Sequence, residues 1–133
     1  MRTKYLYWGI TGILALLMAA SGVLYFTAES MVANFERLGF PDYFREELGA
    51  AKILGAVALL APLPRAMKEW TYAGFGISFV SALIAHKSVG DPASAMVPPL
   101  VALLLLAGSY ITYRKHILAN GGQGRNDRRE TAA

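Results

Sequence analysis

The chain has 133 residues, of which 55% are hydrophobic and only 17% charged, where a soluble domain carries about a quarter; its mean hydropathy of +0.38 marks a membrane composition. It has no cysteine, which excludes disulfides, thiolate catalysis and iron–sulfur centres, and with His86 and His116 as its histidines neither a metal site nor a haem is expected. Most of the formal charge of +4 lies at the ends and in one short loop, a distribution that fits membrane orientation and not a nucleic-acid-binding face.

A helix needs about 20 apolar residues to cross the hydrocarbon core. Four stretches approach that length, at residues 5–26, 46–63, 69–86 and 96–115. Arg2 and Lys4 ahead of the first, and Ala19-Ala20-Ser21 within it, resemble the parts of a signal peptide. The apolar run nevertheless continues through Val23, Leu24, Tyr25 and Phe26, which favours a retained span. Between the first two spans, Met31, Val32, Phe35 and Leu38 recur at helical spacing and predict a short amphipathic helix. Ser30 can cap its start, and Gly39 followed by Phe40 and Pro41 can end it in a left-handed turn. The next helix is then expected to begin near Pro41 or Asp42, with acidic residues at its positive end.

Pro62-Leu63-Pro64-Arg65 closes the second span with a tight turn. Asp91-Pro92 and Pro98-Pro99 bracket the start of the fourth, and the paired prolines are expected to bend or delay it. Asn120-Gly121-Gly122 should stop it, leaving residues 120–133 as a disordered cytoplasmic tail behind a membrane domain of residues 1–119. The expected fold is all-α, a four-helix transmembrane bundle with a short amphipathic helix between spans one and two.

Four crossings put Arg2, Lys4, Arg65, Lys68, Arg114, Lys115, Arg125, Arg128 and Arg129 on one side, against Arg37, Arg45 and Lys87 on the other. The positive-inside rule then places both termini in the cytoplasm of a multi-pass protein of the bacterial plasma membrane. Tyr5, Tyr7, Trp8, Trp70, Tyr72, Tyr110 and Tyr113 would form the inner aromatic belt, and Tyr25 and Tyr43 the outer one. Small residues supply packing faces in lipid, where close backbone approach drives association. Gly49 and Gly55 offer one on the second span, and Gly74, Ser78 and Ala82 another on the third.

Lys52 is the charge that stands inside a span. Its neighbours three and four residues away are Leu48, Gly49, Gly55 and Ala56, so no carboxylate of its own helix is in register. A charge at the centre of a span costs at least about 2.5 kcal/mol on insertion scales. Helix direction puts His86 and Asp91 at the same outer level, with Glu29 near them. Three readings stay open: a lysine that snorkels beside an interfacial histidine, a polar cluster lining a small-molecule or quinone-headgroup pocket, and proton transfer through His86.

The blocks Leu38-Gly39-Phe40-Pro41-Asp42-Tyr43-Phe44, Leu48-Gly49-Ala50-Ala51-Lys52-Ile53-Leu54-Gly55, Lys68-Glu69-Trp70-Thr71-Tyr72-Ala73-Gly74-Phe75 and His86-Lys87-Ser88-Val89-Gly90-Asp91 occur in order. Together they resemble the DoxX-like family of small bacterial membrane proteins, over roughly residues 7–113. The resemblance implies a four-helix membrane bundle and a loose association with quinol-linked electron transfer. It also places a family lysine, histidine and aspartate at Lys52, His86 and Asp91. The expected function is an accessory subunit, without catalysis of its own, that binds a quinone-like or other small hydrophobic ligand or docks a redox partner. The alternatives are a structural or stress-related membrane scaffold, which would recruit a membrane protein partner or a second copy, and a small transporter component.

Overall fold

The computed structural model describes the chain from residue 2 to residue 132, with side chains at residues 2–120 and 128–132. All its regular structure among these residues is helical: α1 (Arg2–Thr27), α2 (Glu29–Leu38), α3 (Asp42–Leu60), α4 (Arg65–Ser88) and α5 (Ala93–Ala132). The long helices meet in a ring, α1 against α3 and α5, and α4 against α5 and, over a smaller surface, α3; α2 lies across the ends of α1 and α3. Leu14 and Leu59 are fully buried at the centre, joined by Met18, Phe75, Phe79 and Leu106.

Among the described residues, two helices are long and apolar enough to cross a membrane, over Arg2–Thr27 and Ala93–Asn120. By composition α3 falls short through Arg45, Glu46, Glu47 and Lys52, and α4 through its small and polar residues. Yet each long helix also turns large apolar side chains outward: Leu16 is 72% exposed on α1, Leu54 69% on α3, Ile77 70% on α4 and Leu104 66% on α5.

The ends of α2 and α3 follow their local chemistry. Gly39 takes φ 85°, the left-handed conformation that glycine adopts without steric cost, and the Phe40 N–H then reaches the Phe35 carbonyl at 2.9 Å. That bond satisfies a helix-end acceptor in the manner of a Schellman turn. The start of α2 departs from expectation, because its cap residue is Ala28 and no side chain caps it; Ser30 lies inside the first turn. Helix α3 begins at Asp42 behind Pro41.

At the other proline pair, α5 begins at Ala93, so Pro98 and Pro99 lie within it. Neither has an N–H to give to the carbonyls of Ser94 and Ala95, a loss confined to the first turns of a long helix. The same helix continues beyond the stop expected at Asn120-Gly121-Gly122 and runs to Ala132. Extending an existing helix needs no new nucleus, so glycine weakens such an extension without forbidding it.

The packing faces differ from the small-residue pattern in an instructive way. Gly49 of α3 faces Gly22 of α1, and a Cβ on Gly22 would stand 2.8 Å from the Gly49 carbonyl and 2.7 Å from Ile53 Cγ1. Gly55 lies under the Phe75 ring, which would come within 2.5 Å of a Cβ there. On α4 the expected Gly74, Ser78 and Ala82 face is not the buried one. Gly74 is exposed with nothing within 4 Å, Ser78 and Ala82 are half-buried, and the helix buries Tyr72, Phe75 and Phe79 instead. Bulk wins because those rings remove far more apolar surface than a methyl or a hydroxyl can. The expected inner aromatic belt divides likewise: Tyr5 and Trp70 are exposed, while Tyr7, Tyr72 and Tyr113 turn inward.

These environments predict opposite signs for two alanine substitutions. Gly22→Ala pushes a methyl into backbone and should destabilise the protein by about 1–3 kcal/mol, whereas Gly74→Ala meets open space and should stabilise it by about 0.5–1 kcal/mol. Denaturant titration of the detergent-solubilised protein checks both, and a tolerated Gly22→Ala contradicts the close crossing of α1 and α3.

Candidate functional site

Lys52 is buried, at 9% exposure. It sits midway along α3 on the face that meets α1, and its ammonium finds oxygen there: Nζ donates to Tyr25 Oη at 2.7 Å and to Ser21 Oγ at 3.0 Å. The nitrogen also lies 4.1 Å from the centroid of the Tyr25 ring, close enough for attraction to its π-face. Ser21 and Tyr25 are four residues apart, so both project from one face of α1. The partners are thus hydroxyls of α1, not groups of α4. An ammonium has three donors, and two are engaged.

His86 and Asp91 do come together, His86 Nδ1 donating to Asp91 Oδ2 at 2.6 Å. Their third member is Arg37 of α2. Its Nη2 donates to Asp91 Oδ2 at 3.0 Å and to Asn34 Oδ1 at 2.7 Å, while its Nη1 donates to Asp91 Oδ1. A guanidinium fork on both carboxylate oxygens fixes orientation as well as distance. The expected foursome of Lys52, His86, Asp91 and Glu29 is therefore divided: His86 and Asp91 share a clamp with Arg37, Lys52 is held by α1, and Glu29 is exposed at the start of α2. Helix order explains the division, because α3 lies against α1 along its length and only lightly against α4.

Tyr25 links these groups. Its ring meets Phe35 of α2 at 5.1 Å, edge to face, and its carbonyl accepts from Arg45 Nη1. That carbonyl is in the last turn of α1, where acceptors lack helical partners, so the buried Arg45 closes the helix end. Lys68 does the same for α3, its buried ammonium donating to the Leu59 carbonyl. A cation at a helix C-terminus also meets the negative end of the dipole.

Beside Lys52 the loose meeting of α3 and α4 leaves an opening of about 330 Å³, bordered by Leu48, Lys52, Gly55, Thr71, Gly74 and Ser78 among others. A second hollow, of about 340 Å³, lies between α4 and α5 beside Glu69, Tyr72 and Tyr110. Between them the core holds a hydroxyl chain that composition alone did not reveal. Thr11 Oγ1 is 2.6 Å from Ser109 Oγ, which is 2.8 Å from Tyr72 Oη, so α1, α5 and α4 are joined by groups that satisfy one another.

The sequence model of the DoxX-like family matches residues 9–109. A helical protein with two helices fit to span a bilayer, this chain belongs to the DoxX-like family and is a membrane protein. No curated protein and no solved structure matches it.

Hydrogen bonds from Arg37 and then from His86 hold the Asp91 carboxyl below its ordinary value. A carboxyl depressed in the folded state stabilises the fold above the ordinary carboxylate range and loses that contribution as pH falls through the folded value. The melting-temperature gap between the unaltered protein and Asp91→Asn should therefore be widest near neutrality and narrow as pH falls below the ordinary carboxylate range. A gap that is constant across this range removes the ionised clamp.

Proposed function

We propose that all four long helices cross the bacterial plasma membrane with both termini cytoplasmic, and that the protein is an accessory subunit without catalysis of its own. Its ligand is a small hydrophobic, quinone-like molecule, held in the opening beside Lys52 and offered there to a redox partner. Large apolar side chains facing outward on all four helices support the four crossings, since a helix apolar all round is at home in lipid. Basic residues concentrated at the termini and the α3–α4 turn support the orientation.

The observation that carries the ligand reading is the buried Lys52 among the residues that border an otherwise largely apolar opening of about 330 Å³. Ligand sites combine apolar walls with few polar groups that orient the ligand. A quinone carbonyl is an acceptor, and the third donor of Lys52 suits it. Thr71 and Ser78 add hydroxyls along the same wall, and Gly74, where an added Cβ would meet nothing within 4 Å, leaves room there.

Purified protein in mild detergent should bind decyl-ubiquinone saturably, and Lys52→Met, which keeps the length and removes the charge, should weaken binding about tenfold or more. Absence of saturable binding, or binding indifferent to that substitution, overturns the reading.

A further inference from the structure

Helix α2 is gripped at two points facing different ways. Near its C-terminus, Arg37 holds both oxygens of Asp91, in the turn after α4, and the same carboxylate takes His86 at 2.6 Å. Two residues earlier, Phe35 is buried at 5% exposure, edge to face with the ring of Tyr25. Side chains two apart on a helix project about 200° from one another, so α2 lies between the Asp91 carboxylate and Tyr25 and cannot leave one without disturbing the other. Tyr25 in turn holds the Lys52 ammonium at 2.7 Å. Contacts thus run from His86 and Asp91 to Arg37, and from Phe35 to Tyr25 and Lys52, with the backbone of α2 joining Arg37 to Phe35.

We propose that α2 is a positioning strap for the Lys52 site: the grip of Arg37 on Asp91 keeps Phe35 pressed on Tyr25, and Tyr25 keeps the Lys52 ammonium in one orientation at the edge of the α3–α4 opening. Arg37 and Phe35 are positioning residues, since neither borders that opening. The strap serves binding only insofar as the opening is the ligand site proposed above. Within that reading it accounts for a division of labour: Lys52 meets the ligand, while His86 and Asp91, at the end of α4, hold the lysine ready from a distance. Preorganisation of this kind raises affinity by ordering the site before the ligand arrives.

The experiment uses the full chain in detergent and needs no ligand for its first arm. N-hydroxysuccinimidyl acetate acylates accessible amines, and peptide mass spectrometry reads each lysine separately. Arg37→Gln, at an exposed position, and Phe35→Ala should each raise the labelling rate of Lys52 about fivefold relative to exposed Lys115. Arg37→Lys, which keeps the charge and loses the fork, should give an intermediate rate. Buried Lys68 of α4, whose ammonium donates to the Leu59 carbonyl at the far end of α3, is the control: a rise at Lys52 alone supports the strap, and a parallel rise at Lys68 means general loosening and overturns it. No change at Lys52 in either variant also overturns it. In the second arm, decyl-ubiquinone binding should weaken about fivefold in Arg37→Gln. If Lys52 labelling rises as expected but the unaltered protein binds no quinone, the strap stands and the ligand reading falls.

Discussion

An ammonium placed in the middle of an apolar helix has to be met by oxygen, and in this chain the helix that supplies it is α1. Lys52 donates to Ser21 and Tyr25, which fixes the rotation of α3 about its own axis and so decides what its other faces do. With Lys52 turned to α1, Gly49 comes against Gly22 at backbone distance, and Ala56 and Leu59 enter the core. Leu54 and Val57 are left facing outward. Leaving the charge unpartnered would cost more than any single packing contact gains, so the apolar contacts arrange themselves around it.

Each of the buried cations Arg45, Lys52 and Lys68 donates to neutral oxygen, and among the described residues Arg45 alone of the three also has carboxylates near it, those of Asp42 and Glu46 at 3.9 Å. Arg45 and Lys68 close the C-terminal ends of α1 and α3 by donating to the carbonyls of Tyr25 and Leu59. The closer ion pairs lie at the surface, where Arg37 clamps Asp91 and where Arg65 and Arg114 flank Glu69 at 3.5 and 3.6 Å. Exposed pairs of the latter kind contribute little. A buried carboxylate would have added its own desolvation penalty to that of the lysine, whereas helix-end carbonyls need a donor in any case. Tyr25 uses its hydroxyl, its ring and its carbonyl for three different neighbours, which makes it the residue where α1, α2 and α3 meet.

Much of this was legible in the sequence because it is local. Apolar runs, prolines and Gly39 mark the helices and most of their ends, and Lys52 stands out as a charge without a partner on its own helix. His86 and Asp91 could be placed together since they stand only five positions apart across one turn. What could not be read was the order of helices around the ring. Knowing that a lysine needs oxygen does not say whether α1 or α4 provides it, and here the hydroxyls of Ser21 and Tyr25 on α1 do. Ser21 and Tyr25, four apart on an otherwise apolar face, are the signal that could have pointed to α1. The small residues of α4 misled for a related reason: Gly74 and Ser78 have the spacing of a packing face, but Tyr72, Phe75 and Phe79 compete for the core and prevail. Arg37 gave no signal either, since an arginine in an interfacial helix is ordinarily just solvated.

The Lys52 nitrogen points into the protein and is held by the Tyr25 phenol. The most direct measurement is a solid-state NMR distance, in lipid bilayers, between 15N at Lys52 Nζ and 13C at Tyr25 Cζ. With Nζ 2.7 Å from Oη, strong dipolar coupling is expected, at a separation under about 4 Å. A coupling too weak to detect, with Nζ instead close to labelled lipid phosphate, would show a lysine that has turned to the headgroups and would contradict this arrangement.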